Sequence, residues 1–172
     1  MKLTKLLMVS GLMMAFGSQA QTCYSPSILE TTPTANFEVI APGVIKDNST
    51  DLVWSRCVLG QSWNASTSTC DGTGVQLTWQ EALQQSADAT LGGYTNWRLP
   101  NAKELATIVE KSCVDPSVNL LLFPAAPPEN HWTSTTVADT HTSAWGVVFN
   151  TGRNSTKEKS LDLYVRLVRF AD

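Results

Sequence analysis

Four cysteines set the strongest limit on how this chain can fold: Cys23, Cys57, Cys70 and Cys113. All four follow a segment, residues 1–20, that has the parts of a secretory signal peptide in the right order. An even number of cysteines in an exported chain is typical of paired disulfides, because compartments outside the cytosol are oxidising. We therefore predict a disulfide-linked fold.

The predicted signal peptide starts with the basic residues Lys2 and Lys5 and continues as an apolar run to Phe16. Ser18-Gln19-Ala20 supplies the small residues that a signal peptidase reads. The run is short for a bilayer span and no second run of that length follows, so we predict no membrane span after signal cleavage. An uncleaved anchor is the alternative. The predicted location is periplasmic or secreted/cell surface in a bacterial envelope.

Three pairings of the four cysteines can be drawn. Cys57 and Cys70 enclose a polar segment, residues 61–69, that is rich in Ser, Thr and Asn and adds little to a core. A covalent link benefits such a segment most, which predicts the pair Cys57–Cys70 and leaves Cys23 with Cys113. No spacing is Cys-x-x-Cys, which argues against a zinc site.

Composition excludes further classes of protein. The 172 residues are 42% hydrophobic and 16% charged, as in a globular domain. The net charge of −3 lacks the cationic excess that phosphate binding needs, so we predict no nucleic acid partner. Residues 153–172 are locally basic and could meet an anionic ligand, although a solvated hairpin is the favoured interpretation.

Two capping boxes predict two short helices, one starting after Thr78 with Glu81 and one after Asn101 with Glu104. Gly92-Gly93 is predicted to end the first helical unit. Strands are predicted at residues 37–40, 43–46, 51–54, 131–135, 144–149 and 161–167. This order predicts an α+β domain at residues 37–172 after an N-terminal arm at residues 21–36, with strands from both ends of the chain in one sheet.

The most distinctive string is Trp97-Arg98-Leu99-Pro100-Asn101-Ala102-Lys103-Glu104-Leu105. Its predicted role is structural, with Trp97 and Leu99 in the core and Pro100 before the helix. Arg98 can hold a carboxylate or backbone carbonyls in a fixed fork, and a ligand-binding Arg98 is the less favoured interpretation.

Signals for catalysis and metal binding are weak. Glu129, His131, Asp139 and His141 offer metal-ligating groups in one short stretch, but nothing fixes their mutual orientation, and surface polar residues are the favoured interpretation. No Gly-x-Ser-x-Gly motif accompanies the two histidines. We predict no catalytic residue, no metal and no cofactor.

Seven ordered motifs carry a family resemblance: Asp51-Leu-Val-Trp54, Thr78-Trp79-Gln-Glu81-Ala82-Leu83, Gly93-Tyr94-Thr-Asn96 running on through the string above, Phe123-Pro124, His131-Trp132-Thr-Ser134-Thr135, Ala144-Trp145 and Val165-Arg166-Leu-Val168-Arg169. Together they resemble the DUF1566 family, also called the Lcl C-terminal domain, over most of residues 37–170. The family's cysteine pattern agrees with a Cys57–Cys70 disulfide.

The resemblance implies a C-type-lectin-like α+β fold with a mixed or antiparallel sheet, distantly similar to formylglycine-generating enzymes. The catalytic thiol pair of those enzymes has no match here. In the collagen-like adhesin that names the family, the domain binds sulfated glycans behind a collagen-like stalk. No Gly-X-Y repeat precedes the domain in this chain. The calcium-loop residue types at Pro128-Glu129-Asn130 stand in a different order, so calcium binding does not carry over.

We therefore expect an exported, non-catalytic, adhesin-like binding module for a glycan, polysaccharide or other cell-surface polymer. Candidate binding residues are Trp63, Tyr94 and Trp132 for stacking, and Arg153, Lys157 and Lys159 for charge. Trp63 has polar neighbours and is predicted to be the most exposed, whereas a core position is favoured for Trp132. One alternative is a structural or assembly subunit of an envelope appendage that makes contacts with envelope proteins. A less favoured alternative is an enzyme of formylglycine-generating-like fold.

Overall fold

The computed structural model describes residues 21–171, so the predicted signal peptide lies outside the described residues. The described chain is mostly β-sheet with two short helices, α1 (Trp79–Asp88) and α2 (Ala102–Thr107). Its strands are β1 (Thr22–Cys23), β2 (Phe37–Ala41), β3 (Val44–Asp47), β4 (Leu52–Ser55), β5 (Ser62–Asn64), β6 (Thr69–Asp71), β7 (Gln76–Leu77), β8 (Cys113–Val114), β9 (Asn130–Val137), β10 (Thr140–Val148), β11 (Arg153–Glu158), β12 (Leu163–Tyr164) and β13 (Val168–Phe170).

Two larger sheets organise the described chain. One has the strand order β11-β10-β9-β12-β7, and the other has the order β13-β4-β3-β2. The pairs are antiparallel except β12 with β9, which is parallel. Strand β13 pairs with β4, so strands from both ends of the chain share a sheet as predicted.

Strands β3 and β4 supply side chains to two separate hydrophobic clusters. Ile45 and Trp54 pack with Leu105 of α2 and with Phe123 in one cluster. Val44 and Val53 pack with Trp97 in the other. Because side chains alternate across a strand, both faces of this sheet are covered.

Both predicted capping boxes are present. The amide of Glu104 donates to Asn101 Oδ1 at 2.9 Å, and the Glu104 carboxylate accepts from the Asn101 amide at 2.8 Å. The predicted role of Gly92-Gly93 is wrong: α1 ends at Asp88, because Ala89 is already extended (ψ 140°). The two glycines instead form a turn closed by reciprocal backbone bonds between Leu91 and Tyr94.

The predicted closing strand at residues 161–167 is also wrong, because the chain changes sheets within it. Residues 163–164 form β12 in the five-stranded sheet, and β13 starts only at Val168 in the four-stranded sheet. Strand β11 went unpredicted. Its sequence, Arg-Asn-Ser-Thr-Lys-Glu, is polar on both faces and shows no alternation.

Both predicted disulfides, Cys23–Cys113 and Cys57–Cys70, are confirmed. The first holds the N-terminal arm against residues 110–119, and the second closes the β5–β6 hairpin. Paired cysteines fit an oxidising compartment. No helix within residues 21–171 has the length and apolar character to cross a bilayer.

Candidate functional site

A shallow cavity of about 390 Å³ lies between the start of α2 and the sheet formed by β9, β10 and β11. We call it the Trp145 groove. Six residues line it: Asn101, Ala102, Lys103, Thr135, Trp145 and Asn154.

Backbone pairing brings these residues together. Trp145 pairs with Thr156, and Val147 pairs with Asn154, so Trp145 and Asn154 share one face of the β10–β11 ladder. The Ala102 amide donates to Thr135 Oγ1 at 3.0 Å, which fixes the first turn of α2 against β9. The groove therefore lies where a helix start meets a sheet face.

The indole N–H groups of the six tryptophans differ in whether they have a hydrogen-bond partner. The N–H groups of Trp79, Trp97 and Trp132 donate to backbone carbonyls at 2.8–3.1 Å. Those of Trp54 and Trp63 have no hydrogen-bond partner within residues 21–171, but Trp54 is fully buried and the Arg56 guanidinium stacks on the Trp63 ring. Trp145 is half-buried, and its indole N–H has no hydrogen-bond partner within residues 21–171. This donor is therefore free for a ligand.

The other lining groups are also mostly donors. Asn101 uses its Oδ1 to accept from Glu104, which leaves its amide NH₂ free of partners in the described chain. Lys103 is exposed and forms no ion pair with any residue the structure describes. Thr135 and Asn154 add a hydroxyl and an amide. No carboxylate lines the groove, so it suits a flat ligand that carries acceptor oxygens or negative charge.

The three predicted aromatic candidates lie outside the groove. Trp63 is half-buried, because the Arg56 guanidinium stacks 4.0 Å from its ring centroid. Tyr94 is half-buried, with the Arg169 guanidinium 4.6 Å from its ring centroid. Trp132 is fully buried in the second cluster, so its ring cannot stack on a ligand.

The three predicted basic candidates lie on or just after β11. Arg153 and Lys157 pair with Val148 and Ala144 and share the face opposite to Asn154. The Lys159 ammonium already has partners within the chain. It donates to Thr136 Oγ1 and His141 O and lies 3.9 Å from the Trp79 ring centroid. Arg153 and Lys157 thus border the sheet edge next to the groove without lining it.

The Trp97–Glu104 string supplies three of the residues that line the groove, Asn101, Ala102 and Lys103. Arg98 binds the Glu104 carboxylate through two bonds of 2.7 and 2.8 Å and stacks on Phe170. Burial opposes ionisation of Glu104, but the bonds from Arg98 and Asn101 outweigh it and lower the pKa of this carboxyl. Arg98 therefore fixes the helix start that presents Asn101 and Lys103.

The four candidate metal ligands do not converge. His131 is fully buried on β9, whereas His141 is exposed on β10. Within residues 21–171, no three His, Cys, Asp or Glu side chains group closely enough to hold a metal ion.

Sequence reasoning missed Trp145, Lys103, Thr135 and Asn154 as binding candidates. Trp145 alternates with Val147 and Phe149, a pattern that indicates core. Its exposure depends on the polar β11 strand and on the position of α2, and neither leaves a signal near residue 145.

The profile of the Lcl C-terminal domain matches residues 43–169, which include every residue of the groove. The chain belongs to the Lcl C-terminal domain family. The match leaves out the N-terminal arm and β2, so these elements lie outside the matched part of this Lcl C-terminal domain. No curated protein matches the chain.

Proposed function

We propose that this protein is an exported, non-catalytic binding module that recognises a glycan or a related cell-surface polymer in the Trp145 groove. The observation that carries the proposal is the half-buried Trp145 indole, with its free N–H, among amide, hydroxyl and ammonium donors. An aromatic ring packs on the apolar face of a sugar, and the donors bind its oxygens. Arg153 and Lys157, on the opposite face of the same edge strand β11, would add a longer-range attraction for an anionic chain.

The proposal is tested by glycan-array screening of residues 21–172, followed by calorimetric titration of the best-bound glycan. Trp145→Ala removes both the ring and the donor, so we expect affinity to fall about 10-fold or more. Trp145→Phe keeps an aromatic face and loses the N–H, so its loss should be smaller.

Trp63→Ala is the matched control, because Trp63 is also half-buried and lies outside the groove. It should leave affinity unchanged. Binding that survives Trp145→Ala but disappears in Trp63→Ala would contradict the proposed site. Near-ultraviolet circular dichroism checks that each variant keeps its tertiary packing.

A role in assembly with envelope proteins is a second candidate, favoured by the apolar surface of the N-terminal arm. Leu29 is 89% exposed and Tyr24 54% exposed. Crosslinking in the native envelope, compared between the wild-type chain and Leu29→Ser, would reveal such contacts. The C-type-lectin-like assignment is likewise a proposal, and an experimental structure compared with known lectin folds would test it.

A further inference from the structure

Strand β2 is the least protected of the four edge strands in the two larger sheets. Proteins usually protect such edges with charges, short strands or covering segments, because unpaired backbone groups attract other strands. Strand β11 carries Arg153, Lys157 and Glu158, and β7 has only two residues. The edge of β13 is occupied, since Val168 and Arg98 exchange both of their backbone hydrogen bonds.

Strand β2 has one charged residue, Glu38, and no proline. Val39 at its centre is 64% exposed although it is a branched apolar residue. An exposed edge strand with an apolar centre and little charge favours pairing with a strand of another chain.

The hydrogen-bonding direction of each residue in this sheet follows from bonds to neighbouring segments. The backbone N–H and C=O of Val168 both bond to Arg98 and therefore point away from β4. The direction of the backbone N–H and C=O groups alternates from residue to residue along a strand. Trp54 lies opposite Val168, so its backbone N–H and C=O point towards β3. Two bonds beyond the strand agree: Ser55 donates to Leu167 on the β13 side, and Arg56 donates to Gly43 on the β3 side.

The same alternation carries to β2. Glu38 pairs with Lys46 and points towards β3, as does Asn36, whose carbonyl accepts from the Asn48 amide at 2.9 Å. The backbone N–H and C=O groups of Phe37 and Val39 therefore point away from β3, towards the open edge of the sheet. The Phe37 amide donates back to Thr34. The N–H and C=O of Val39 and the C=O of Phe37 have no such partner within residues 21–171.

We propose that β2 pairs antiparallel with β2 of a second copy of this chain, about a two-fold axis through Val39. The Val39 N–H of each copy donates to the Val39 C=O of the other. The two exposed Val39 side chains then meet on one face, and two four-stranded sheets join into one of eight strands.

The pattern of groups on β2 favours a second copy over an unrelated strand. Val39 carries both a free donor and a free acceptor, so a two-fold axis through this residue satisfies both. Glu38 falls opposite Ile40 and not opposite another glutamate, which avoids a like-charge pair. The irregularity between Val39 and Ala41 limits the pairing to a short stretch, so the dimer should be weak and concentration-dependent.

Sedimentation and amide hydrogen exchange of residues 21–172 over a range of concentrations test the proposal. A dimer should appear as concentration rises, and the Val39 amide should become protected with it. The Glu38 amide, which points towards β3, should be protected at every concentration. Val39→Pro removes the outward N–H without removing a β2–β3 bond, and Val39→Lys adds a charge. Both should abolish the dimer.

Leu29→Lys is the matched control, because it places the same charge on an exposed apolar site away from β2. It should dimerise as the wild type does. A chain that stays monomeric, a Val39 amide that exchanges freely in the dimer, or a dimer lost only in Leu29→Lys would each overturn the proposal. Thermal unfolding confirms folding, and two Val39 variants keep the test valid if one fails to fold.

Discussion

The imidazole of His131 is fully buried against the rings of Phe149 and Tyr164. Its Nδ1 lies 3.1 Å from the Glu129 carbonyl, and its Nε2 has no hydrogen-bond partner among the residues described. Burial, followed by the nearby Arg166 cation, lowers the pKa of His131 from 6.5 to about 3. The folded protein therefore holds this side chain neutral across the mildly acidic range.

This histidine should make the protein sensitive to acid. Between pH 6.5 and about 3 the unfolded chain binds a proton at His131 that the folded chain does not, so the free energy of unfolding falls as pH falls. His131→Gln should flatten that dependence, whereas His141→Gln, at the exposed histidine, should leave it unchanged. Denaturant unfolding at a series of pH values measures both slopes. Equal slopes in the wild type and His131→Gln would contradict this prediction.

The N-terminal arm is attached through one buried carboxylate as well as through a disulfide. Glu110 is 3% exposed and accepts hydrogen bonds of 2.7–3.1 Å from the backbone and hydroxyl groups of Thr32 and Ser112 and from the Thr31 amide. Burial opposes ionisation of Glu110, but these bonds outweigh it and lower its pKa to about 2. The carboxylate therefore joins the arm to the segment after α2.

Glu110→Gln should loosen the arm, because an amide cannot accept all of these bonds. We expect a loss of roughly 2–3 kcal/mol in the free energy of unfolding. The depressed pKa means that this contribution is complete above pH 4.5 and is lost as pH falls towards 2. The difference between Glu110→Gln and wild type should thus shrink in acid. Glu30→Gln, at an exposed glutamate of the same arm, should match the wild type in denaturant unfolding throughout.

Elements with local signals were predictable from the sequence, and those that depend on distant packing were not. Thr78 and Asn101 mark helix starts because a cap is made within four residues. The disulfides followed from the polar segment between Cys57 and Cys70. The groove was missed, because the exposure of Trp145 depends on the position of α2, about forty residues earlier in the chain. Trp63 was predicted to be the most exposed of the aromatic candidates, but the Arg56 guanidinium stacks on its ring. This contact depends on how the β5–β6 hairpin folds back on the chain before it, and the polar neighbours of Trp63 give no sign of it.

The two hydrophobic clusters share the four-stranded sheet, so the whole domain should unfold in one step. Ile45 on β3 belongs to the first cluster, and Leu99, which precedes α2, belongs to the second. Both are at most 2% exposed, so Ile45→Ala and Leu99→Ala should each cost about 3 kcal/mol. If either cluster lost its packing, one face of the shared sheet would be exposed and the other cluster would lose its support. Tryptophan fluorescence and far-ultraviolet circular dichroism should therefore report the same single unfolding midpoint in each variant. If Leu99→Ala instead gave two separated midpoints while Ile45→Ala gave one, the second cluster would unfold independently of the shared sheet.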